Sequence, residues 1–166
     1  MKLKKICKGI PGIVIKGSKD TEISGLCANS TLLAPGDLFI VKKGRVYDGH
    51  DYISEAIASG AAAILTDIFD PFLKGVPQLI HEEIDTIEGR LATNFYGESS
   101  KKMHLVGITG TNGKTTSAYL LKHLFENLGI TCGLTSTIEN IIGDHRYPAA
   151  LTTADITSNH KILYEM

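Results

Sequence analysis

Residues 105–116, which read LVGITGTNGKTT, constrain this chain more than any other stretch. An apolar run from Leu105 to Ile108 leads into a glycine-bearing loop that ends at Lys114. An amphipathic segment follows and ends at Gly129, with apolar side chains recurring every three to four residues; these are Ala118, Leu121, Leu124, Phe125 and Leu128. Strand, loop and helix in this order predict a phosphate-binding loop, because N–H groups converge at the positive end of the helix.

Each part of this loop has an expected role. Backbone N–H groups are expected to cradle a nucleoside triphosphate along the residues Gly110, Thr111, Asn112, Gly113, Lys114, Thr115 and Thr116. Lys114 is the predicted catalytic residue, because its ammonium group would reach the β- and γ-phosphates. The Thr115 hydroxyl is the predicted Mg²⁺ ligand. The alternative is an ordinary glycine turn, but motif and context agree on the phosphate loop.

Composition excludes several classes of function. A net charge of −1 in 166 residues offers no electrostatic surface for nucleic acid or for an anionic membrane. Lysines near the start are not followed by a long apolar run, so neither a signal peptide nor a transmembrane helix is expected. The three cysteines are odd in number and far apart, which is typical of reduced thiols in a cytoplasmic protein. We expect a monomer.

The histidines show no HxH or HxxxH spacing, so a metal cluster is not expected. Surface or capping roles are the ordinary expectation for all of them. They are His50, His81, His104, His123, His145 and His160.

The first hundred residues alternate between strand and helix patterns and predict an α/β domain. Strands are expected at residues 13–15, 38–41, 61–65 and 78–80. One helix is expected to begin at an Asp51 cap and end at Gly60. A second is expected to begin with a capping box from Asp85 to Glu88 and to end at Gly97.

The polar segment 98–102 is the predicted linker, which gives domains at residues 1–100 and 101–166. After the loop helix we expect a strand at residues 130–135, a loop or small hairpin at 141–148 and a final helix. These elements are too few to cover a parallel sheet on both faces. The second domain is therefore expected to be the incomplete start of a parallel-sheet ATP-binding domain, and the chain part of a longer protein.

Several motifs together resemble the Mur ligase superfamily. Ile108 stands where the general phosphate-loop pattern has glycine, so the loop reads Thr-Gly-Thr-Asn-Gly-Lys-Thr from Thr109. That variant resembles the ATP-dependent amide ligases of peptidoglycan synthesis and their relative folylpolyglutamate synthetase. PGDLFI at residues 35–40, DGHDYI at 48–53 and GAA at 60–62 resemble the domain that holds the uridine end of a UDP-N-acetylmuramoyl peptide in this family.

The resemblance also implies substrate-binding residues. Asn29-Ser30-Thr31 stands where the family usually has Asp-Ser-Arg, so only Ser30 and its neighbour Ala28 are carried over, without the ion pair. Arg45 lies at the position of a uridine-contacting loop. Thr152 and Thr153 match a pair that contacts the substrate near its diphosphate and sugar. The alternatives are a turn serine, a solvated arginine and two capping threonines.

The resemblance implies an ATP- and Mg²⁺-dependent, ADP-forming ligase that adds a free amino acid, the third of the stem peptide, to UDP-N-acetylmuramoyl-L-Ala-D-Glu through an acyl phosphate. The chain alone is expected to be inactive. Three alternatives remain: another Mur-type ligase, such as the D-Ala-D-Ala-adding or folylpolyglutamate type; a self-contained nucleotide switch or kinase; and a non-catalytic binding module. Whether the added residue is diaminopimelate or lysine is not encoded in these residues.

Overall fold

The computed structural model describes residues 1–44, 48–149 and 154–166. The chain divides into two compact units, Met1–Gly97 and Glu98–Met166. None of the helices within the described residues is long and apolar enough to cross a membrane.

The first unit is built on a five-stranded sheet. Its elements are helix α1 (Leu3–Ile6), strands β1 (Val14–Lys16), β2 (Leu26–Cys27) and β3 (Leu38–Ile40), helix α2 (Ile53–Ala58), strands β4 (Ala63–Thr66) and β5 (Gln78–Ile80), and helix α3 (Ile84–Tyr96). Short 3₁₀ turns cover Ser30–Leu32 and Gly49–Tyr52. The strand order is β1-β5-β4-β3-β2.

Strands β2 to β5 are parallel, and β1 is antiparallel to β5 at one edge. The carboxyl ends of the parallel strands therefore meet at one edge, where open α/β sheets bind their ligands. Both faces of the sheet are covered, since Leu38 and Ile40 belong to one buried cluster with α1 and α3 while Phe39 belongs to another with α2. Burial on both faces explains why the parallel strands read as continuous apolar runs.

The strand predictions for this unit are confirmed to within two residues at each end. The two residues predicted to cap its helices, Asp51 and Asp85, are wrong. Asp51 lies inside the Gly49–Tyr52 turn, where Asp48 is the capping residue and accepts a hydrogen bond from the His50 N–H. Helix α3 begins one residue before Asp85. Its predicted partner Glu88 is buried and paired with Lys42, and no side chain among the described residues caps the start of the helix.

The second unit contains a 3₁₀ turn (Ser99–Lys102), helix α4 (Lys114–Asn127), strands β6 (Leu134–Thr135), β7 (Glu139–Ile142) and β8 (His145–Pro148), and helix α5 (Ile156–Glu165). Strands β7 and β8 form the hairpin expected at residues 141–148, and β6 pairs with β7. All three strands are antiparallel.

Two strand predictions in this unit are wrong. The strand expected at residues 130–135 is reduced to β6. Residues 105–108 form no strand in the described part of the chain, and Leu105 and Val106 are 59% and 63% exposed. A strand needs a hydrogen-bonded neighbour, and none of the described strands pairs with this run.

Candidate functional site

The predicted phosphate loop ends where α4 begins. Gly113 is the residue before the helix, and its φ of +80° lies in the left-handed region that favours glycine. The chain therefore turns sharply into the helix at this position. Because the first N–H groups of a helix have no acceptor within it, those of Lys114, Thr115 and Thr116 face outward from the positive end of the helix.

Lys114 adds a positive charge to the same place. Its Nζ donates hydrogen bonds to the loop's own carbonyl oxygens, at 2.7 Å to Gly110 and 3.3 Å to Thr111. The lysine side chain thus folds back over the loop, and it remains exposed to solvent. N–H groups and an ammonium form a set of donors that suits an anion carrying several oxygens, such as a polyphosphate.

Thr115 lies at the side of the loop, half-buried, with its Oγ1 at 3.4 Å from the Oγ1 of Thr137. Two hydroxyl oxygens at this spacing, next to the N-terminal end of α4, fit a hard cation that prefers oxygen ligands. The donor chemistry of the loop therefore fits both a nucleoside triphosphate and Mg²⁺, with Thr115 as the residue that would hold the metal.

A side-chain network that the sequence analysis missed holds α4 in place. The Tyr119 hydroxyl donates to Glu139 Oε1 at 2.5 Å, and Arg146 donates to the same oxygen at 2.7 Å. The hydrogen bond to Glu139, with burial and the charge of that carboxylate, raises the pKa of Tyr119. The β7–β8 hairpin is thereby tied to the first two turns of the helix that carries Lys114.

The predicted substrate residues Ala28 and Ser30 lie at the carboxyl edge of the five-stranded sheet, directly after β2. Asn29 Oδ1 accepts hydrogen bonds from the Thr31 N–H at 3.0 Å and from the Thr31 hydroxyl at 2.8 Å. Asn29 and Thr31 are therefore joined by neutral hydrogen bonds at the two positions where the family usually has an acid and a base. Ser30 is 9% exposed and donates to Glu55 of α2 at 3.4 Å.

Arg45, Thr152 and Thr153, the other predicted substrate residues, lie outside the described residues. The structure thus brings Ala28 and Ser30 together at one edge of the first unit. It places the loop of Lys114 and Thr115 in the second unit.

A histidine network at the same sheet edge was also missed. His50 Nδ1 lies 2.6 Å from Asp48 Oδ1, and its Nε2 lies 2.8 Å from Asp67 Oδ1. The surface or capping role expected for every histidine is therefore wrong for His50. The available signal was the Asp48-Gly49-His50 spacing together with Asp67, an acid placed immediately after a buried strand.

The His50 network has the outline of a nucleophile, base and acid, because the Thr66 hydroxyl lies 3.3 Å from His50 Nε2. Thr66 is only 1% exposed, however, and its hydroxyl donates to the Ile68 carbonyl. Asp67 already occupies the same ring nitrogen. A nucleophile must reach its substrate, so this arrangement is not suited to nucleophilic catalysis.

A buried ion pair lies under the same edge. Lys42 follows β3 and points to the α3 side of the sheet, where its Nζ lies 2.5 Å from Glu88 Oε2. The Glu88 side chain is fully buried, while that of Lys42 is 27% exposed. The pair fastens the end of β3 to α3.

Comparison with known protein families gives two matches along the chain. The Mur ligase family, catalytic domain, matches residues 22–88. The Mur ligase middle domain matches residues 108–166, which include the phosphate loop. The chain belongs to the Mur ligase family.

Curated relatives of this Mur ligase chain match along its whole length. It is 41% identical over 167 residues to the UDP-N-acetylmuramoyl-L-alanyl-D-glutamate–2,6-diaminopimelate ligase of Phocaeicola vulgatus, covering 100% of this chain and 34% of the relative. The protein of the same name from Chlamydia muridarum is 37% identical over 166 residues, with coverage of 100% and 34%. The chain thus spans about a third of the length of these relatives.

Solved structures share the fold of this Mur ligase chain. The UDP-N-acetylmuramoylalanyl-D-glutamyl-2,6-diaminopimelate–D-alanyl-D-alanyl ligase from Acinetobacter baumannii matches with a TM-score of 0.65 and 17% identity, over 99% of this chain and 33% of that one. A UDP-N-acetylmuramoyl-L-alanyl-D-glutamate–2,6-diaminopimelate ligase matches with a TM-score of 0.64 and 18% identity, over 99% and 33%. The α/β fold class expected from the sequence is confirmed.

Proposed function

We propose that this chain provides the substrate-anchoring and phosphate-binding parts of an ATP-dependent ligase of cytoplasmic peptidoglycan precursor synthesis. The reaction joins a free amino acid, diaminopimelate or lysine, to UDP-N-acetylmuramoyl-L-Ala-D-Glu. The observation that carries the proposal is the geometry of the phosphate loop, in which the Lys114 ammonium lies over the N-terminus of α4. The names of the relatives that are 37–41% identical along the whole chain support the choice of substrate.

In this proposal ATP supplies the phosphoryl group that activates the terminal carboxylate of the UDP substrate. That carboxylate oxygen attacks the γ-phosphorus and ADP leaves; the incoming amine then attacks the acyl carbon and phosphate leaves. Lys114 and the N–H groups at the start of α4 hold the phosphates and offset the charge that develops on them. Thr115 holds Mg²⁺.

The first unit is proposed to anchor the uridine end through Ala28, Ser30 and Arg45. The position of Ala28 and Ser30 at the carboxyl edge of the parallel strands supports this assignment. Thr152 and Thr153 are proposed to contact the same ligand near its diphosphate and sugar. Residues 1–100 then form the UDP-muramoyl domain, and residues 101–166 contribute to the ATP-binding domain.

The test has two arms. In calorimetry, this chain should bind UDP-N-acetylmuramoyl-L-Ala-D-Glu without forming product. The full-length enzyme should release phosphate only when ATP, this dipeptide precursor and diaminopimelate or lysine are all present. Phosphate release that required the tripeptide precursor and D-Ala-D-Ala would instead identify the dipeptide-adding type of Mur ligase. ATP turnover without any UDP substrate would favour a self-contained nucleotide switch.

A further inference from the structure

His50 lies between two carboxylates that belong to different loops. Asp48 comes from its own segment, at 2.6 Å from Nδ1, and Asp67 follows β4, at 2.8 Å from Nε2. A neutral imidazole has one N–H and can donate to only one of these oxygens. Both contacts together therefore require the charged imidazolium, which donates from both ring nitrogens.

The segment that His50 fixes leads to the loop that carries Ala28 and Ser30, the predicted substrate residues after β2. His50 lies in the Gly49–Tyr52 turn, which continues into α2 and is fastened to β3 by the Gly49 N–H, which donates to the Lys42 carbonyl at 2.9 Å. Glu55 in the first turn of α2 accepts the hydrogen bond of the Ser30 hydroxyl. Contacts among described residues thus run from Asp67, at the end of β4, through His50 and α2 to Ser30, beyond the end of β2.

We propose that His50 is a positioning residue for the UDP-sugar ligand. As an imidazolium hydrogen-bonded to Asp48 and Asp67, it holds α2 against the end of β4. Through Glu55 of α2, it fixes the position of the Ser30 hydroxyl. This inference rests on the proposed function, since it assumes that Ser30 contacts the uridine end of the substrate. His50 itself touches no ligand in this scheme. It acts by fixing the Ser30 hydroxyl, whose O–H is donated to Glu55 and whose oxygen is left to accept a hydrogen bond from the ligand.

This arrangement makes ligand binding depend on pH. Partial burial lowers the pKa of His50, but the hydrogen bonds to Asp48 and Asp67 and their charges outweigh burial and raise it above its ordinary value. Among the described residues, the charged groups that face His50 are these two carboxylates, and Lys43 acts on Asp48. The charged form is complete below about pH 6.5 and is lost as the pH rises through the raised pKa, so affinity should fall toward alkaline pH.

The experiment titrates UDP-N-acetylmuramoyl-L-Ala-D-Glu into the whole chain by calorimetry from pH 6 to pH 8. Across this range the ligand's diphosphate diester and carboxylates keep their charge and its uracil N3–H keeps its proton, so changes in affinity report the protein. The variants are His50→Gln, which removes the charge, and His50→Arg, whose guanidinium stays charged and can donate to both carboxylates. The matched control is His81→Gln, because His81 lies at the same edge but, among the described residues, its ring forms hydrogen bonds only with the Pro11 carbonyl and the Glu83 N–H.

For the wild type and the His81→Gln control we expect about three- to tenfold weaker binding at pH 8 than at pH 6, the effect of losing one or two hydrogen bonds. The His50→Gln chain should bind this weakly at every pH. The His50→Arg chain should bind tightly at every pH, because the guanidinium keeps its charge.

Equal, pH-independent affinity in the wild type and His50→Gln would overturn the positioning role while leaving the proposed function intact. A fall in affinity with pH that persisted in His50→Arg would also overturn it, because another group would then be titrating. No binding by the wild type at any pH would overturn the proposed function, and this inference with it. An amide NMR spectrum of each variant shows whether it is folded, and His50→Arg keeps the test decisive if His50→Gln is not.

Discussion

At the scale of single residues, Lys114 carries the clearest expectation for catalysis. Its ammonium lies over its own loop, 2.7 Å from the Gly110 carbonyl, so it is already placed where a phosphate would meet the helix end. In the full-length enzyme, Lys114→Ala should lower kcat at least about a hundredfold, because loss of one preorganised charge-stabilising group costs about 3 kcal/mol or more. Affinity for the UDP substrate should stay within about twofold.

The matched control for that change is Lys122→Ala on the same helix. Lys122 pairs with Glu126 in an i, i+4 arrangement away from the loop, so its loss should leave turnover near normal. Steady-state kinetics with ATP and the UDP substrate varied in turn would measure both variants. If Lys114→Ala turned over normally, the loop would not be the ATP site.

Cys7 provides a pH-dependent prediction at the same scale. Burial raises the pKa of its thiol to about 11, and the side chain is only 8% exposed. The neutral thiol therefore favours the folded state at ordinary pH, and that contribution is lost as the pH rises from about 9 toward 11. At pH 8, an aromatic disulfide reagent should modify Cys27 and Cys132, which are partly exposed, at least about tenfold faster than Cys7.

Thiol release followed by absorbance measures those rates. Replacing Cys7 with serine should remove the slow phase and leave the fast phase unchanged. If the slow phase persisted in the Cys7→Ser chain, another thiol would be the protected one.

Single-residue roles were predicted from the sequence only where a motif fixes the residue and its neighbours together. Lys114 and Gly113 belong to such a motif, and α4 does begin at Lys114. His50 does not: its partner Asp67 is 17 residues away, and only the parallel pairing of β3 with β4 brings the two loops together. The side-chain partners of an isolated polar residue depend on topology, which local spacing does not encode.

At the scale of elements, the attachment of β3 to α3 depends on an ion pair. Glu88 is fully buried on α3, and the Lys42 ammonium beyond β3 lies 2.5 Å from it. Replacing Lys42 with methionine should destabilise the first unit by about 2–4 kcal/mol, because a buried carboxylate would lose its counter-charge. The double change Lys42→Met with Glu88→Leu should recover most of this loss, since an apolar pair of similar size needs no desolvation of charge.

Hydrogen exchange of the slowest amides in β3 and β4, followed by NMR, gives the free energy of opening for this unit. The control is Lys4→Met, which breaks an exposed pair with Asp20 in the same unit and should leave the free energy of opening nearly unchanged. A double variant as unstable as Lys42→Met alone would show that shape, not charge, limits this site. Because the Glu88 carboxylate pairs with Lys42, it does not complete the predicted capping box at the start of α3.

At the scale of the whole molecule, sequence patterns predicted the first unit well and the second poorly. Residues 38–41 and 61–65 are apolar runs whose neighbours in the sheet lie within the same unit, so strand prediction and burial agree. The run at residues 105–108 has the same character but pairs with no described strand, and Leu105 and Val106 are exposed. An apolar run indicates that a segment tends to be buried, whereas a strand forms only where a neighbouring strand pairs with that segment.

The difference in burial between the two units predicts that two helices of nearly equal length are protected unequally from hydrogen exchange. Helix α3 (13 residues) has six buried side chains, whereas α4 (14 residues) has none. A helix of this length is only marginally stable in water without a packed face, so local opening of α4 should need much less free energy than opening of α3. In exchange measured by mass spectrometry at neutral pH, peptides from α4 should therefore take up deuterium at least about a hundredfold faster than peptides from α3.

Saturating ATP and Mg²⁺ should slow exchange in the first turn of α4 and leave α3 unchanged, because a bound phosphate engages the N–H groups that begin at Lys114. Equal protection of the two helices without nucleotide would contradict the prediction and show that α4 is covered in solution.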